Sequence, residues 1–328
     1  MKQPKLAVII PCFNEEACIN NTSERLLQIL DDLSWKQEIS QESFLFFIDD
    51  GSSDNTWNLI EAQHINAPDR IKGIKFSRNF GNQKAILAGI LESSKYNADC
   101  LISIDADLQQ DEFKIGEFIQ KYKQGADIVC GIRNDRRTDG FLKKTSALAF
   151  YKLMNVMGVN IQVNHSDYRL ISLRAAQALK NFPEKNLFLR GIFNELGFKR
   201  DYVYFDVKPR RAGRTKYTAR SLFSLALEGI TSFSIVPLRF VFFIGILMSL
   251  ASFIVGLSAW WEKFFYHSTI PGWATIVAAL GFIGGIQILC IGIIGEYLGQ
   301  LFQEIKARPR YIIEKELNQP VSGSSIHT

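Results

Sequence analysis

Two aspartates, Asp105 and Asp107, follow directly on the apolar run Cys100–Ile104. Where an extended backbone persists, residues at i and i+2 project to the same face. Two carboxylates held that close repel one another unless a cation neutralises them. Oxygen-only donors of this kind suit Mg²⁺ or Mn²⁺, which keep positions open for water and phosphate oxygens. The pattern has an earlier counterpart: Phe44–Ile48 leads into Asp49, Asp50 and Gly51, then Ser52–Thr56. Ser53 and Asp54 read as ordinary helix caps. Asp50 does not, and is a candidate acceptor of hydrogen bonds from a nucleotide base or ribose. Lys208, Arg210, Arg211, Arg214, Lys216 and Arg220 form a basic run with no acid among them. Such a run suits an anion-binding loop, a juxtamembrane patch, or both at once.

Other chemistries are disfavoured by the rest of the chain. No G-x-G-x-x-G follows the first strand and no G-x-x-x-x-G-K-[ST] occurs, so neither dinucleotide-binding nor P-loop chemistry is indicated. The five cysteines are scattered and the four histidines do not cluster, which excludes a disulfide framework and a zinc site. A net charge of +5 is too small to argue for a nucleic-acid partner.

Elements must position these residues. The strand candidates are Leu6–Ile10, Phe44–Ile48, Ile71–Phe76, Cys100–Ile104 and Ile128–Gly131, and between them lie the helical patterns Ala17–Leu33, Trp57–Gln63, Gln83–Ser93 and Phe113–Lys123. Strands alternating with helices of this length predict βαβ units and an α/β fold with a mostly parallel sheet. Ligands of such sheets bind beyond the carboxyl ends of the strands, where the acidic turns fall. Arg133, at the end of the fifth run, belongs to the same edge.

The 328 residues are 47% hydrophobic and 22% charged, enough for a sizeable core, but the two kinds of residue are unevenly spread. After Ser221 fixed charges nearly vanish until Glu296. Phe240–Trp261 and Ser268–Gly295 are uncharged for about 22 and about 28 residues, where roughly 20 cross a bilayer. Trp260, Trp261, Phe264, Phe265, Tyr266 and Trp273 crowd the connection as an interface belt, and the basic residues lie on the other side. The expected organisation is a catalytic domain over 1–220, a juxtamembrane segment over 221–239, a transmembrane hairpin over 240–298 and a tail over 299–328, with both ends cytoplasmic. The spacing Gly281-x-x-x-Gly285 allows close packing, against the first span or in a homo-oligomer. The stretch after Asn318 reads as disordered.

With Pro11–Glu15, Asp50 and Asp105–Gln109 assigned to strand ends, the chain resembles the family 2 glycosyltransferases of GT-A fold. Within them it is most similar to the polyprenyl-phosphate glycosyltransferases, such as dolichol-phosphate mannose synthases and bactoprenol glucosyl transferases. Ser77–Gly81, Asn164–Leu170, Asn186–Gly191, Ala226–Ser232, Gly284–Gln287, Gly295–Tyr297 and Arg308–Tyr311 support the resemblance, which runs from about Lys5 to Ile313. It implies a hexosyltransferase of the bacterial inner membrane. The donor is a nucleotide-diphosphate sugar, UDP-glucose at family level, and the acceptor is polyprenyl phosphate. It further implies Pro11, Asn14, Glu15, Asp50 and Asp105 as nucleotide contacts, and Asp105, Asp107 and Gln109 as ligands of metal and diphosphate. Arg211 and Lys216 fall near phosphates and Asp167 takes the conventional catalytic position. Arg214 departs from the family pattern, and so does Gln110-Asp111-Glu112, where relatives usually have prolines.

Arg133 is expected to stabilise charge on the leaving diphosphate, and Arg169 to act with Asp167 near the acceptor phosphate. Arg136 and Lys144 belong to a basic segment that either grips the lipid phosphate or opens a solvated helix. A phosphate monoester has its second pKa near 6, so the acceptor needs no strong base and Asp167 is expected to orient it. The lipid cannot leave the bilayer cheaply, at about 0.8 kcal/mol per exposed CH₂, which gives the hairpin its reason. A processive polysaccharide synthase is the weaker reading, since no Gln-x-x-Arg-Trp segment and no further spans are present. A non-catalytic lipid carrier or scaffold is weaker still, because Asp105, Asp107, Asp167, Arg211 and Lys216 are intact.

Overall fold

The computed structural model describes residues 3–134, 165–182, 189–207, 236–266, 272–306 and 308–317. The chain divides into two units, one of 1–151, 160–217 and 308–328, the other of 152–159 and 218–307.

The first unit is built on strands β1 (Leu6–Cys12), β2 (Phe44–Asp49), β3 (Ile71–Phe76), β4 (Cys100–Ser103), β5 (Ile128–Arg133), β6 (His165–Ser172), β7 (Arg200–Phe205) and β8 (Ile313–Leu317). They form one sheet in the order β7-β5-β6-β4-β1-β2-β3-β8. β1 and β2 are unbroken apolar runs, buried along their whole length, as strands covered on both faces must be. The helices that cover them are α1 (Ile19–Trp35), α2 (Thr56–Asn66), α3 (Asn82–Ser93) and α4 (Ile115–Lys123), followed by the short α5 (Leu173–Leu179) and α6 (Leu189–Glu195). α1 turns Ile19, Leu26, Ile29, Leu30 and Leu33 inward at helical spacing. These side chains meet Leu6, Val8 and Ile10 of β1 and Phe118 of α4 in one core. On the opposite face α3 lies so close to β1 and β2 that a Cβ on Gly89 would press into Ile9 and Ile48.

Neighbouring pairs β3-β2, β2-β1 and β1-β4 are parallel, as is β5-β7. β6 runs antiparallel between β4 and β5, so all strands but β6 and β8 share one direction. The expected α/β fold with a mostly parallel sheet is therefore present, with two reversed strands added. The reversal of β6 matters most, because it brings the start of that strand to the carboxyl edge of β4 and β5.

Part of the expected tail, residues 308–317, belongs to the first unit and closes its sheet: β8 pairs antiparallel with β3, and Ser77 N donates to Ile312 O at 3.0 Å. Tyr311 stacks on Phe76 with centroids 5.1 Å apart, and its hydroxyl donates to Glu92 Oε1 at 2.9 Å. Burial next to Glu92 pushes the Tyr311 phenol far above its ordinary pKa. The expectation for the stretch after Asn318 lies outside the described residues.

The second unit contains two long helices, α7 (Val236–Tyr266) and α8 (Trp273–Ile305). The windows Leu238–Val255 and Ala279–Gly299 have mean hydropathies of 2.3 and 1.8 and bury nothing inside the chain. Both helices extend past the sequence-read spans, α7 at both ends, from Val236 to Tyr266, and α8 at its end, through Ile305. An apolar pocket lies between them, lined by Gly245 and Met248 from one and Ile286, Gln287 and Cys290 from the other.

Two features at the strand ends of this sheet give testable outcomes. Asp127, at the entry to β5, accepts from Ser172 Oγ at 2.9 Å and Arg174 Nε at 3.0 Å. Burial alone raises this carboxyl; the bonds from Arg174 and Ser172 overcome it and leave the pKa below the ordinary carboxylate value. A depressed carboxyl contributes stability above its unfolded pKa of about 3.9 and loses it as pH falls through the folded value. Asp127→Asn should therefore cost about 1 to 3 kcal/mol at pH 7. The gap from wild type should narrow below pH ~4 in urea unfolding of the detergent-solubilised chain. Gly51, just past β2, has φ +68, and a Cβ there would land on the backbone of Arg78. Gly51→Ala should cost about 1 to 3 kcal/mol in the same assay, at every pH.

Candidate active site

β4 ends at Ser103, and the two aspartates lie in the turn beyond it, not on an extended strand. Ile104 N donates to Ile9 O at 3.0 Å, which carries the chain one step further along β1. Leu108 N then donates back to Asp105 O at 3.2 Å, and Leu108 takes φ 48, a left-handed turn conformation. α1 clamps this turn through Thr22, whose Oγ1 donates to Ala106 O at 2.6 Å. Within the turn Gln109 N donates to Asp107 Oδ1 at 3.2 Å.

Gln109, not Gln110, was the expected metal and diphosphate ligand. Gln109 binds Asp107 through its backbone N–H, whereas the buried side chain of Gln110 holds Asp105 directly: Nε2 donates to Asp105 Oδ2 at 2.7 Å. Gln110 is thus a site residue that the motif did not single out. Its signal in the sequence was the departure from proline in this stretch.

Asp167 reaches the same place from β6. The antiparallel register ends at Ser103↔Arg169, which leaves Asp105 and Asp167 each two residues beyond that last pair. Ser103 Oγ fixes the strand there, donating to Asp167 O at 2.5 Å. From the α3 side Gln83 Nε2 donates to Asp167 Oδ2 at 3.4 Å. Arg133 ends β5 at this edge, next to the pair Ile132↔His165. It is half-buried, and its Nε has no hydrogen-bond partner among the described residues.

The turns after β1 and β2 are laced together. Asn14, at φ 53, accepts from Ser53 N through Oδ1 at 2.9 Å, and its own N donates to Ser52 Oγ at 2.9 Å. Glu15 N donates to Thr56 Oγ1 at 2.9 Å and Asp50 N to Cys12 O at 2.8 Å. Asn14 and Glu15, two of the expected nucleotide contacts, therefore lie on one connected rim, and Pro11 is buried beside it within β1.

Two of the expected site residues are buried and engaged within the chain. Asp50 was expected to bind the nucleotide, but it is 3% exposed and both its oxygens are engaged by the backbone: Phe80 N at 2.6 Å and Gly81 N at 2.9 Å. It shapes the Ser77–Gly81 loop from beneath. Burial raises its carboxyl pKa, and these amides only partly offset the rise. Arg169 was expected at the acceptor phosphate, but it is 3% exposed, with its guanidinium 4.2 Å over the ring of Phe193 on α6. Its planar charge is buried against an aromatic face, a packing role that a phosphate would have to compete with. Arg136, Lys144, Arg211 and Lys216 lie outside the described residues.

This edge offers oxygen donors and a cation at a strand end. Among the described residues no group of three His, Cys, Asp or Glu side chains forms a metal site. The expected donors Asp105, Asp107 and Gln109 are all oxygen donors, a chemistry that fits a hard divalent ion whose other positions go to water and phosphate.

Comparison with known proteins agrees with this geometry. Residues 7–179 match glycosyl transferase family 2, and residues 236–301 match the GtrB C-terminal hairpin. The chain is 45% identical over 315 residues to the uncharacterized glycosyltransferase YkoT of Bacillus subtilis (strain 168), covering 96% of this chain and 93% of that one. It is 38% identical over 312 residues to the prophage bactoprenol glucosyl transferase homolog of Escherichia coli (strain K12), covering 95% and 99%. Against the bactoprenol glucosyl transferase of Shigella phage SfII the figures are 37% over 312 residues, 95% and 98%. The chain is a glycosyltransferase and belongs to glycosyl transferase family 2.

Proposed function

We propose that this chain is a membrane-anchored inverting glycosyltransferase that moves glucose from UDP-glucose to polyprenyl phosphate, forming a lipid-linked sugar for surface polysaccharide or glycolipid modification. The observation that carries this reading is similarity to bactoprenol glucosyl transferases across nearly the whole chain, helical hairpin included. The length and apolar character of α7 and α8 support anchoring. The basic residues before α7 and after α8 support a catalytic unit on the cytoplasmic side of the bacterial inner membrane. The glycines Gly281, Gly284 and Gly285, which face open space in the single chain, support self-association.

In this reading Asp105 and Asp107 hold Mg²⁺ or Mn²⁺. A divalent cation bound there supplies Lewis-acid neutralisation of the departing diphosphate. The rim of Asn14 and Glu15, beside Pro11, receives the nucleotide, with Asp50 holding the adjoining loop in shape. Arg133, Arg211 and Lys216 donate hydrogen bonds to the diphosphate as its charge grows. Arg136 and Lys144 grip the acceptor phosphate at the membrane surface. An oxygen of that phosphate attacks the anomeric carbon while the bond to the UDP oxygen breaks, and UDP leaves with the electron pair. One direct displacement inverts the anomeric centre. The acceptor is mostly dianionic above pH ~6, so no proton need be removed from it. Asp167, held by Gln83 and Ser103, orients the reactants.

Two outcomes test this. UDP release from UDP-glucose in membranes should require added polyprenyl phosphate and stop on chelation, and Asp107→Asn should lower turnover by at least about 100-fold. Polymer made without lipid acceptor, or full-rate transfer after chelation, would overturn it. Asp167→Asn should lose less than the about 100-fold or more typical of a removed general base, with the pH–rate profile unchanged in shape above pH ~7. A larger loss, with a steep wild-type profile that the variant lacks, would make Asp167 the base.

A further inference from the structure

The Gln110 side chain is 2% exposed and makes three polar contacts. Oε1 accepts from Asp105 N at 3.0 Å, while Nε2 donates to Asp105 Oδ2 at 2.7 Å and to Ser166 Oγ at 3.3 Å. One amide thus grips both the backbone and the carboxylate of Asp105, so the carboxylate cannot rotate without breaking a buried bond. Its third contact reaches β6. Ser166 Oγ also accepts from Tyr168 N at 3.2 Å, which makes Ser166 the hinge of the strand end that carries Asp167.

We propose that Gln110 is a positioning residue: it aims the Asp105 carboxylate for the divalent cation and fixes the distance between that carboxylate and the Asp167 strand. The inference rests on the metal reading above and adds a residue to it. The residue type follows from the chemistry. A neutral amide donor stabilises the ionised carboxylate, whereas a lysine or arginine there would compete with the cation for the same charge. A glutamate has the same reach but no donor, and would set a second carboxylate against Asp105. An alanine leaves Asp105 N and Ser166 Oγ without this partner. Partners that orient metal ligands are worth about 10- to 100-fold in metal affinity or activity.

The test is direct Mn²⁺ binding to the full chain in detergent, in the presence of UDP, followed by loss of the free-Mn²⁺ electron paramagnetic resonance signal. Gln110→Glu and Gln110→Ala should each bind Mn²⁺ about 10- to 100-fold more weakly than wild type. The Mn²⁺ concentration giving half-maximal turnover should rise in parallel, while kcat at saturating Mn²⁺ recovers most of its wild-type value. That split separates positioning from general loss of structure, which lowers kcat at every Mn²⁺ concentration. Wild-type affinity in both variants overturns the proposal, as does tighter binding by Gln110→Glu or a kcat loss without a change in Mn²⁺ binding. Should either variant fail to fold, Ser166→Ala removes one of the three contacts and should weaken Mn²⁺ binding several-fold; an unchanged affinity there overturns it equally. If wild type itself binds no Mn²⁺ with UDP, the metal reading fails, a result distinct from failure of Gln110 alone.

Discussion

Antiparallel pairing of β4 with β6 crowds carboxylates at one edge of an otherwise parallel sheet. Each of the two carboxylates Asp105 and Asp167 is met there by a neutral amide, Gln110 on one and Gln83 on the other. A neutral donor satisfies a carboxylate oxygen without cancelling its charge, as a lysine or arginine would. The rest of the catalytic unit fixes this edge: Thr22 clamps the aspartate turn from α1, and Ser103 pins the Asp167 strand from β4.

The Ser77–Gly81 loop shows how far the support extends. Asp50 holds its far end through Phe80 N and Gly81 N, and Ile312 O accepts from its near end at Ser77 N. Phe76 lies between Phe80, edge-on at 5.7 Å, and Tyr311, stacked on its other side. The loop that begins α3, and so places Gln83 against Asp167, is therefore braced by the segment that follows the second apolar helix. The chain cannot be cut after its hairpin without undoing a wall of the catalytic unit.

The strands that carry the aspartates were legible because β1, β2 and β4 are short apolar runs ending in polar turns, and helices of regular length separate them. β6, β7 and β8 were not. β6 alternates Ser166, Asp167 and Arg169 with Tyr168 and Leu170, and β8 is Ile-Glu-Lys-Glu-Leu, with few apolar residues to mark a strand. β7 carries Tyr204, 54% exposed, among its aromatics. Each is a reversed or outer strand, whose identity comes from its partner more than from its own composition. At the site, residue types were readable and directions were not. Asp50 binds backbone 30 residues away, and Gln110 meets Asp105 across a turn in which Leu108 takes φ 48, a conformation that no spacing rule supplies.

The departure from proline at Gln110-Asp111-Glu112 shows why such a loop stays ordered. Proline restricts a loop by fixing φ and lowering the entropy of the unfolded chain. Here long-range bonds replace that restriction. Asp111 O accepts from Tyr168 OH at 3.2 Å, and Tyr168 is wholly buried between Phe118 and Phe205. Glu112 is 1% exposed and forms an ion pair with Arg25 of α1, whose guanidinium also lies 5.8 Å from the centre of the Phe113 ring. A buried carboxylate is costly unless paired, so this arrangement ties the loop's path to α1 and β6 together. These polar residues stiffen the loop through its neighbours, and Gln110 places an amide donor on Asp105.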